Sequence, residues 1–366
     1  MKVLVSVFNN LITDQRVEKI CQTLYHHNYE VELIGNNWNG LPDLERPYKT
    51  HRLQLRSKIL KFAYPEFNYK LYFELLKRAN SNTILWCNDL DALLANYLVA
   101  KKLSIPLIYD SHEIYTEMPA IQGRFTQKIW RFLESKLIHS IPYRVTASSS
   151  YGDWFVQKYG IPKPIIVQNF PRKINERQQI DSSSIKTIIY QGAINPSRGL
   201  DKIIPAMQNI ENAQLLIVGI GPKLTEYQDL TCKFNLSEKV FFLGRKTPSE
   251  LREITKKADV GISIEENLGL SYYYSLPNKI SDYIQAKIPI VVSDFPEMRK
   301  VVQYYHAGEI IKDHSLQELS SKINSVLSKG KESYLPELEN AANVLCWENE
   351  EDKILSLLQQ VQIDNF

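Results

Sequence analysis

Short continuous apolar runs alternate with helix-spaced apolar positions along the whole chain. Residues 2–8 (Lys2-Val-Leu-Val-Ser-Val-Phe8) read as a buried first strand, and Val17, Ile20, Cys21 and Leu24 then fall on one helical face. Further strands are predicted over 31–35, 83–88, 106–109, 144–149 and 165–170, with a long helix over 123–141 carrying Ile129, Phe132, Leu133, Lys136 and Leu137 at helical spacing. After residue 184 strands and helices alternate again as far as Gly308-Glu-Ile-Ile311. Two sets of about six strands, each separated by helices, predict an α/β protein with two doubly wound, Rossmann-like parallel sheets. The first domain is assigned to residues 1–170 and the second to 185–345, with the polar, breaker-rich stretch 171–184 as linker. A last helix over about 346–366 begins with Trp347 and an acidic run.

One stretch concentrates chemistry. Ser275-Leu276-Pro277-Asn278-Lys279-Ile280-Ser281-Asp282-Tyr283-Ile284 runs on into the strand Pro289 to Ser293. Pro277 suits the first turn of a helix, where its missing N–H is not needed. Ile280, Tyr283 and Ile284 share an apolar face, and Asn278 and Asp282 share another with Lys279 beside them. A diphosphate at the helix start would meet free N–H groups, the positive end of the dipole and the Lys279 ammonium. Asp282, roughly 6 Å further along the axis, would accept hydrogen bonds from two vicinal hydroxyls. Phosphates first and ribose next is the shape of a nucleoside diphosphate. The strand Ala258 to Ile264 precedes this stretch, and ligands bind outside the carboxyl ends of such strands.

Composition narrows the classes. The chain has 366 residues and 44% apolar residues, enough for two cores. Residues 1–170 hold 21 Lys/Arg against 15 Asp/Glu, and the remainder 23 against 26, so the formal charge of +3 is uneven. The excess suggests a basic first half facing something anionic, but it is too small for a nucleic-acid-binding domain. Residues 46–78 carry nine Lys/Arg against two Asp/Glu among Tyr48, Leu55, Ile59, Leu60, Phe62, Tyr64 and Phe67. Such a segment suits either an anionic bilayer surface or a solvated helix pair. Cys21, Cys87, Cys232 and Cys346 are widely spaced, as in a cytosolic protein with reduced thiols. The apolar start is too short for a signal peptide, and no run is long enough to span a membrane.

Two polar clusters close strands of the first half. Asn88-Asp89-Leu90-Asp91 contains an Asp-x-Asp, but a helix follows at once and both carboxylates suit its N-terminal cap. Asp110-Ser111-His112-Glu113 puts titratable groups at a strand's carboxyl end. No H-E-x-x-H or comparable ligand spacing accompanies His112, so no metal site is predicted. The opening strand and helix lack G-x-G-x-x-G, and Gly219-x-Gly221 is followed by Leu224, which argues against a dinucleotide enzyme.

Tyr190-Gln191-Gly192, Arg198-Gly199-Leu200-Asp201, Leu216-Ile-Val-Gly219-Ile-Gly221-Pro222, Phe242-Leu243-Gly244, Ala258-Asp259-Val260 and Pro289 to Asp294 occur in one order. In that order the sequence resembles the retaining glycosyltransferases of family 4, specifically the branch with Leu-Pro-Asn-Lys in the donor-site helix. The resemblance implies a GT-B architecture, two Rossmann-like domains facing a cleft, with the first domain binding the acceptor and the second a nucleotide-sugar donor. It implies that the last helix crosses back onto the first domain, with Trp347 as a packing anchor. Donor contacts would come from Gly192, Arg198, Gly219, Arg245, Glu266, Leu276, Pro277, Asn278, Lys279 and Asp282, acceptor contacts from Asp14, Arg16 and Glu113. His112, Arg198 and Lys279 would carry catalysis, with a neutral His112 imidazole meeting a hydroxyl of the transferred sugar.

The family's second glutamate falls on Asp282 and its first on Tyr274, leaving Glu265 or Glu266 to supply that sugar contact. Ala193 stands where a basic residue is frequent, directly after Gly192. The activity implied is metal-independent, cofactor-free transfer of a sugar, with retention, to a glycan or lipid-linked acceptor. The setting implied is cell-surface polysaccharide or lipopolysaccharide assembly, in the cytoplasm and peripheral at the inner face of an anionic plasma membrane. Asp14 and Arg16 equally suit local capping and pairing. A nucleotide-sugar epimerase and a non-catalytic nucleotide-sugar or glycan-binding protein share the implied fold; intact Arg198, Lys279 and Asp282 speak against the second.

Overall fold

The structure is a computed structural model that describes residues 1–12, 14–37, 44–174 and 185–366. Thr13 and residues 175–184, most of the expected linker, lie outside the described residues. The chain divides into two compact units, one of residues 1–169 with 350–366, the other of residues 170–349.

The first unit runs β1 (Lys2–Ser6), α1 (Gln15–His26), β2 (Glu30–Asn36), β3 (Lys49–Leu53), α2 (Leu60–Arg78), β4 (Thr83–Asn88), α3 (Leu93–Leu103), β5 (Leu107–Ser111), α4 (Phe125–Leu137), β6 (Tyr143–Thr146), α5 (Ser149–Tyr159) and β7 (Ile165–Ile166). Its sheet is parallel, in the order β3-β2-β1-β4-β5-β6-β7. Helices cover both faces, so strands such as Val3–Val5 and Ile84–Cys87 are fully buried, as continuous apolar runs require. Asp14 caps α1 by accepting the Val17 N–H at 3.0 Å.

Three readings shift. The basic stretch after residue 46 supplies an edge strand, β3, and one helix rather than a helix pair. The strand expected over 144–149 stops at Thr146, because Ser148 turns to cap α5 by accepting the Tyr151 N–H. On α4, Leu137 packs inward while Ile129 and Phe132 face solvent.

The second unit runs β8 (Lys186–Gln191), α6 (Leu200–Ala206), β9 (Ala213–Val218), α7 (Leu224–Lys233), β10 (Val240–Gly244), α8 (Pro248–Lys257), β11 (Val260–Ser263), α9 (Leu270–Tyr273), α10 (Asn278–Gln285), β12 (Ile290–Ser293), α11 (Pro296–Tyr305), β13 (Gly308–Ile311), α12 (Leu316–Lys329) and α13 (Leu335–Val344). Its parallel sheet has the order β10-β9-β8-β11-β12-β13. Gly219, just past β9, sits at φ 150°, and a Cβ there would come within 1.8 Å of the Gly192 carbonyl oxygen. The ends of β8 and β9 approach this closely only with glycine between them. A final helix, α14 (Trp347–Asn365), begins in the second unit and continues in the first. Trp347 is fully buried and donates its N–H to the Pro171 carbonyl at 2.9 Å. Further on, Glu351 accepts from the Thr23 hydroxyl at 2.8 Å and Glu350 from the Gln168 N–H at 2.9 Å.

Strand order reverses between β1 and β4 in one sheet and between β8 and β11 in the other. Helices leave opposite faces at these points and open a crevice at the strands' carboxyl ends.

Candidate active site

The crevice of the second unit is organised by Glu265, two residues past β11. Its carboxylate is 2% exposed and accepts from Arg198 Nη1 at 2.7 Å, from Lys279 Nζ at 2.8 Å and from Ser263 Oγ at 3.2 Å. Burial alone would raise the Glu265 pKa, but Lys279 and Arg198 outweigh it and hold the group below its usual value. Burial pulls Lys279 down more than Glu265 lifts it. Aromatic rings back both cations: Lys279 lies 4.3 Å from the Tyr190 ring centre, and the Arg198 guanidinium 5.1 Å from that of Tyr272. Two cations against one carboxylate leave a net positive charge, held in place before any ligand arrives.

Lys279 stands in the first turn of α10, whose leading N–H groups have no partner within the helix. Pro277 is the N-cap, one position earlier than the first-turn placement, and Asn278 beside it is exposed. The buried face is Ile280, Tyr283 and Ile284, as the periodicity predicts. The Tyr283 hydroxyl accepts the Gln191 N–H at 3.1 Å and lies 3.2 Å from the Ile189 and 3.3 Å from the Ile262 carbonyl, fixing α10 against β8 and β11. Asp282 accepts from Gln191 Nε2 at 2.9 Å, and Gln191 Oε1 accepts from Thr255 Oγ1 at 2.9 Å, so the carboxylate is oriented from behind.

Gly192 is exposed at φ 133°, where a Cβ would stand 3.9 Å from Lys279 Cε. Leu276 is half-buried against the unit's core. The Glu266 N–H is tied to the Ser197 carbonyl at 3.0 Å. Arg245 directly follows the edge strand β10, two strands from β8.

The crevice of the first unit is organised by His112. Asn88 donates Nδ2–H to the Ser6 carbonyl at 3.0 Å, which turns its Oδ1 toward His112 Nε2 at 3.1 Å. Nε2 must then be a donor. Nδ1 lies 3.3 Å from Asp89 Oδ2, and the His112 N–H donates to Asp89 Oδ1 at 2.8 Å. Burial opposes charging the ring, but Asp89 and Asp110 outweigh it and raise its pKa from 6.5 to about 9. The ring is therefore an imidazolium at neutral pH, not the neutral imidazole expected. Asp89 caps no helix with its side chain; it sits at φ 60°, ψ 167°, a strained backbone for a non-glycine residue, and serves His112 instead.

Arg16 and Asp110 form a pair 3% and 0% exposed, with Nη2 to Oδ1 at 2.7 Å and Nε to Oδ2 at 3.3 Å. A further Arg16 bond goes to the Val167 carbonyl at 2.5 Å. Burial alone would raise the Asp110 pKa, but Arg16 and His112 hold it far below the usual carboxylate range. Arg16 is thus committed to the interior and Asp14 to its helix cap, which also accepts from Asn9 Nδ2 at 2.6 Å. Of the three expected acceptor contacts only Glu113 is exposed. Among the described residues no group of three His, Cys, Asp or Glu side chains is placed to hold a metal ion.

Sequence reasoning missed the bridging role of Glu265 and the parts of Ser263, Tyr190, Tyr272 and Gln191. The available signal was a carboxylate directly after a buried strand at the sheet's reversal, which must find cations.

Residues 172–342 match the profile of a family described as Glycosyl transferases group 1. The chain is 24% identical over 213 residues, 52% of its length and 46% of the relative's, to chitobiosyldiphosphodolichol beta-mannosyltransferase of Candida albicans. It spans about half the length of the curated relatives it matches. Its fold matches sucrose-phosphate synthase from Thermosynechococcus elongatus (TM-score 0.79, 14% identity, 100% of both chains). It also matches Anabaena HepE in complex with UDP-glucose (TM-score 0.76, 14% identity, 98% of this chain and 100% of the other). The architecture is accordingly that of the GT-B glycosyltransferase structures, two Rossmann-like domains. The second unit carries the group 1 sequence signature.

Proposed function

We propose that the protein is a retaining glycosyltransferase that moves a sugar from a nucleoside diphosphate to a glycan or lipid-linked acceptor. The observation that carries this reading is the Arg198–Glu265–Lys279 group at the start of α10, with Asp282 about one turn further on. As the glycosidic bond breaks, negative charge moves onto the diphosphate. Arg198, Lys279 and the α10 N–H groups stand fixed where that charge develops, and preorganised donors of this kind act without reorganising. They supply the compensation that a divalent cation would otherwise provide, so the reaction proceeds without a metal. Asp282, held by Gln191, receives the ribose hydroxyls.

Glu265 positions the two cations, and its oxygens are occupied in doing so. We assign it that role rather than the contact to the transferred sugar. His112 meets a hydroxyl of that sugar by sharing its Nδ1–H, whose nitrogen lies 3.3 Å from Asp89 Oδ2, while Nε2–H stays with Asn88. Its charge is held by Asp89 and Asp110. Retention follows the same-face course, in which the leaving diphosphate itself assists the acceptor and no enzyme nucleophile is needed. An epimerase is the weaker reading, since the matched family and relative are transferases. The relative named for a diphosphodolichol acceptor supports a lipid-linked one here, and with it assembly of cell-surface glycan at an anionic membrane.

A thermal-shift panel of UDP-, GDP- and CMP-sugars tests the reading. One donor at 100 times its Kd should stabilise the fold by about 2.7 kcal/mol. No shift with any nucleotide sugar or bare diphosphate would remove it.

A further inference from the structure

Helix α4 is built inside out. Phe125 is 75%, Ile129 51% and Phe132 64% exposed, whereas Gln127 and Glu134 are buried. At about 100° per residue, positions 125, 129, 132 and 136 fall in one narrow stripe, opposite 127 and 134. The polar side faces the protein because it is bonded there. Gln127 Nε2 donates to the Thr116 carbonyl at 2.8 Å, and Glu134 accepts from Tyr109 and Tyr159 hydroxyls at 3.3 and 2.6 Å. A surface helix ordinarily turns its apolar stripe to the core. Scattered exposed apolar residues are normal, but three large ones on one stripe form a patch.

The stripe carries cations and no acid. Lys136 Nζ lies 5.7 Å from the Phe132 ring centre, and Arg124 and Lys128 are exposed beside Phe125 and Ile129. A second apolar and basic turn is tethered to it. Trp130 of α4 meets Tyr64 of α2 edge to face at 5.3 Å, and the turn before Tyr64 exposes Ile59, Leu60 and Phe62 with Lys58 and Lys61.

We propose that the exposed face of α4, with the first turn of α2, docks this protein onto an anionic phospholipid bilayer. The proposal deepens the membrane part of the reading above. Aromatic and aliphatic side chains enter the acyl boundary while interleaved lysines and arginines meet headgroup phosphates. The charge pattern selects this occupant over a second copy of the chain. A symmetric self-interface would bring the Arg124, Lys128 and Lys136 cations of two copies together with no acid on the stripe to offset them.

Flotation with phosphatidylcholine vesicles, with and without phosphatidylglycerol, is the test. The full chain should float with the anionic vesicles at low salt and detach at high salt. The combined variant Phe125→Ser, Ile129→Ser, Phe132→Ser should lose about tenfold or more in partitioning, with its melting temperature unchanged. Equal partitioning of variant and parent, no flotation of the parent at low salt, or equal binding to neutral vesicles would overturn the proposal. A concentration-dependent dimer abolished by the same variant would assign the face to a second copy and overturn it too. Nucleoside-diphosphate affinity on the same samples separates the two readings. Failed flotation with intact nucleotide binding defeats this surface alone; flotation without nucleotide binding defeats the transferase reading alone.

Discussion

In both units polar side chains gather where the strand order of a parallel sheet reverses, but the charge sums differ. In the second unit Arg198 and Lys279 share one carboxylate, Glu265, so positive charge is left over for an incoming anion. In the first unit Arg16 and His112 face Asp110 and Asp89, and the charges close on each other. The same topology thus yields a net positive cluster in one place and a self-compensated scaffold in the other. The scaffold's partly accessible members are His112 and Asp89, whose side chains are 15% and 21% exposed. A reversal of strand order locates a crevice; the charge balance inside it decides what the crevice can bind.

The strongest way to break this comparison is to open the closed cluster. Asp110→Ala would leave the Arg16 guanidinium buried without its carboxylate. Removing one partner of a buried pair costs about 3–5 kcal/mol. The urea midpoint should fall accordingly, whereas a fall under about 1 kcal/mol would mean that Arg16 escapes to solvent as exposed pairs do.

His112 gives the next largest effect. Its pKa is raised on folding, so its stabilisation is complete below the unfolded value of 6.5 and is lost as pH rises through about 9. A rise of this size is worth on the order of 3 kcal/mol. Glu134, raised from 4.5 to about 7 by burial, also lowers stability as pH rises, but within the lower window between those two values. The slope between pH 7 and 9 should therefore shrink in His112→Gln while the lower slope stays. In single-turnover transfer, His112→Ala should slow the reaction by roughly 100-fold, about 2.7 kcal/mol of barrier, with near-normal affinity for the bare diphosphate. Equal losses in both measurements would make His112 structural.

Much of the fold was legible because parallel strands covered on both faces read as continuous apolar runs. The strand over 83–88 is found where expected. Helix α10 was legible too, since Lys279 and Asp282 are fixed by spacing within one element. The Glu265 group was not: its members lie 67 and 14 residues apart in sequence and meet only through the sheet. Nor was the imidazolium, which depends on Asp89 and Asp110 converging on one buried ring. Periodicity gave α4 an apolar stripe but not the direction it faces, because the buried hydrogen bonds of Gln127 and Glu134 decide that.

The open cluster offers a milder test. Arg198→Ala and Lys279→Ala should each weaken binding of the bare nucleoside diphosphate by about 1.5–3 kcal/mol, the worth of a hydrogen bond to a charged group. Calorimetry reads this directly, and unchanged affinity in both variants would remove the phosphate-site assignment. The two effects should not add, because each substitution also frees a Glu265 oxygen.

The smallest effect separates scaffold from site at Asp14. This carboxylate accepts the Val17 N–H at the start of α1 and an Asn9 amide, a complete local role. Losing an N-cap costs about 1 kcal/mol, and asparagine caps nearly as well as aspartate. Asp14→Ala should therefore lower the melting temperature by a few degrees, and Asp14→Asn should restore most of it. Transfer measured well below the melting range should stay within about twofold of the parent in both. An acceptor contact would give the other pattern, with kcat/KM for the acceptor falling in both variants whatever the melting temperature does. That result would return Asp14 to the site and show that the first unit's closed cluster reaches substrate through more than His112.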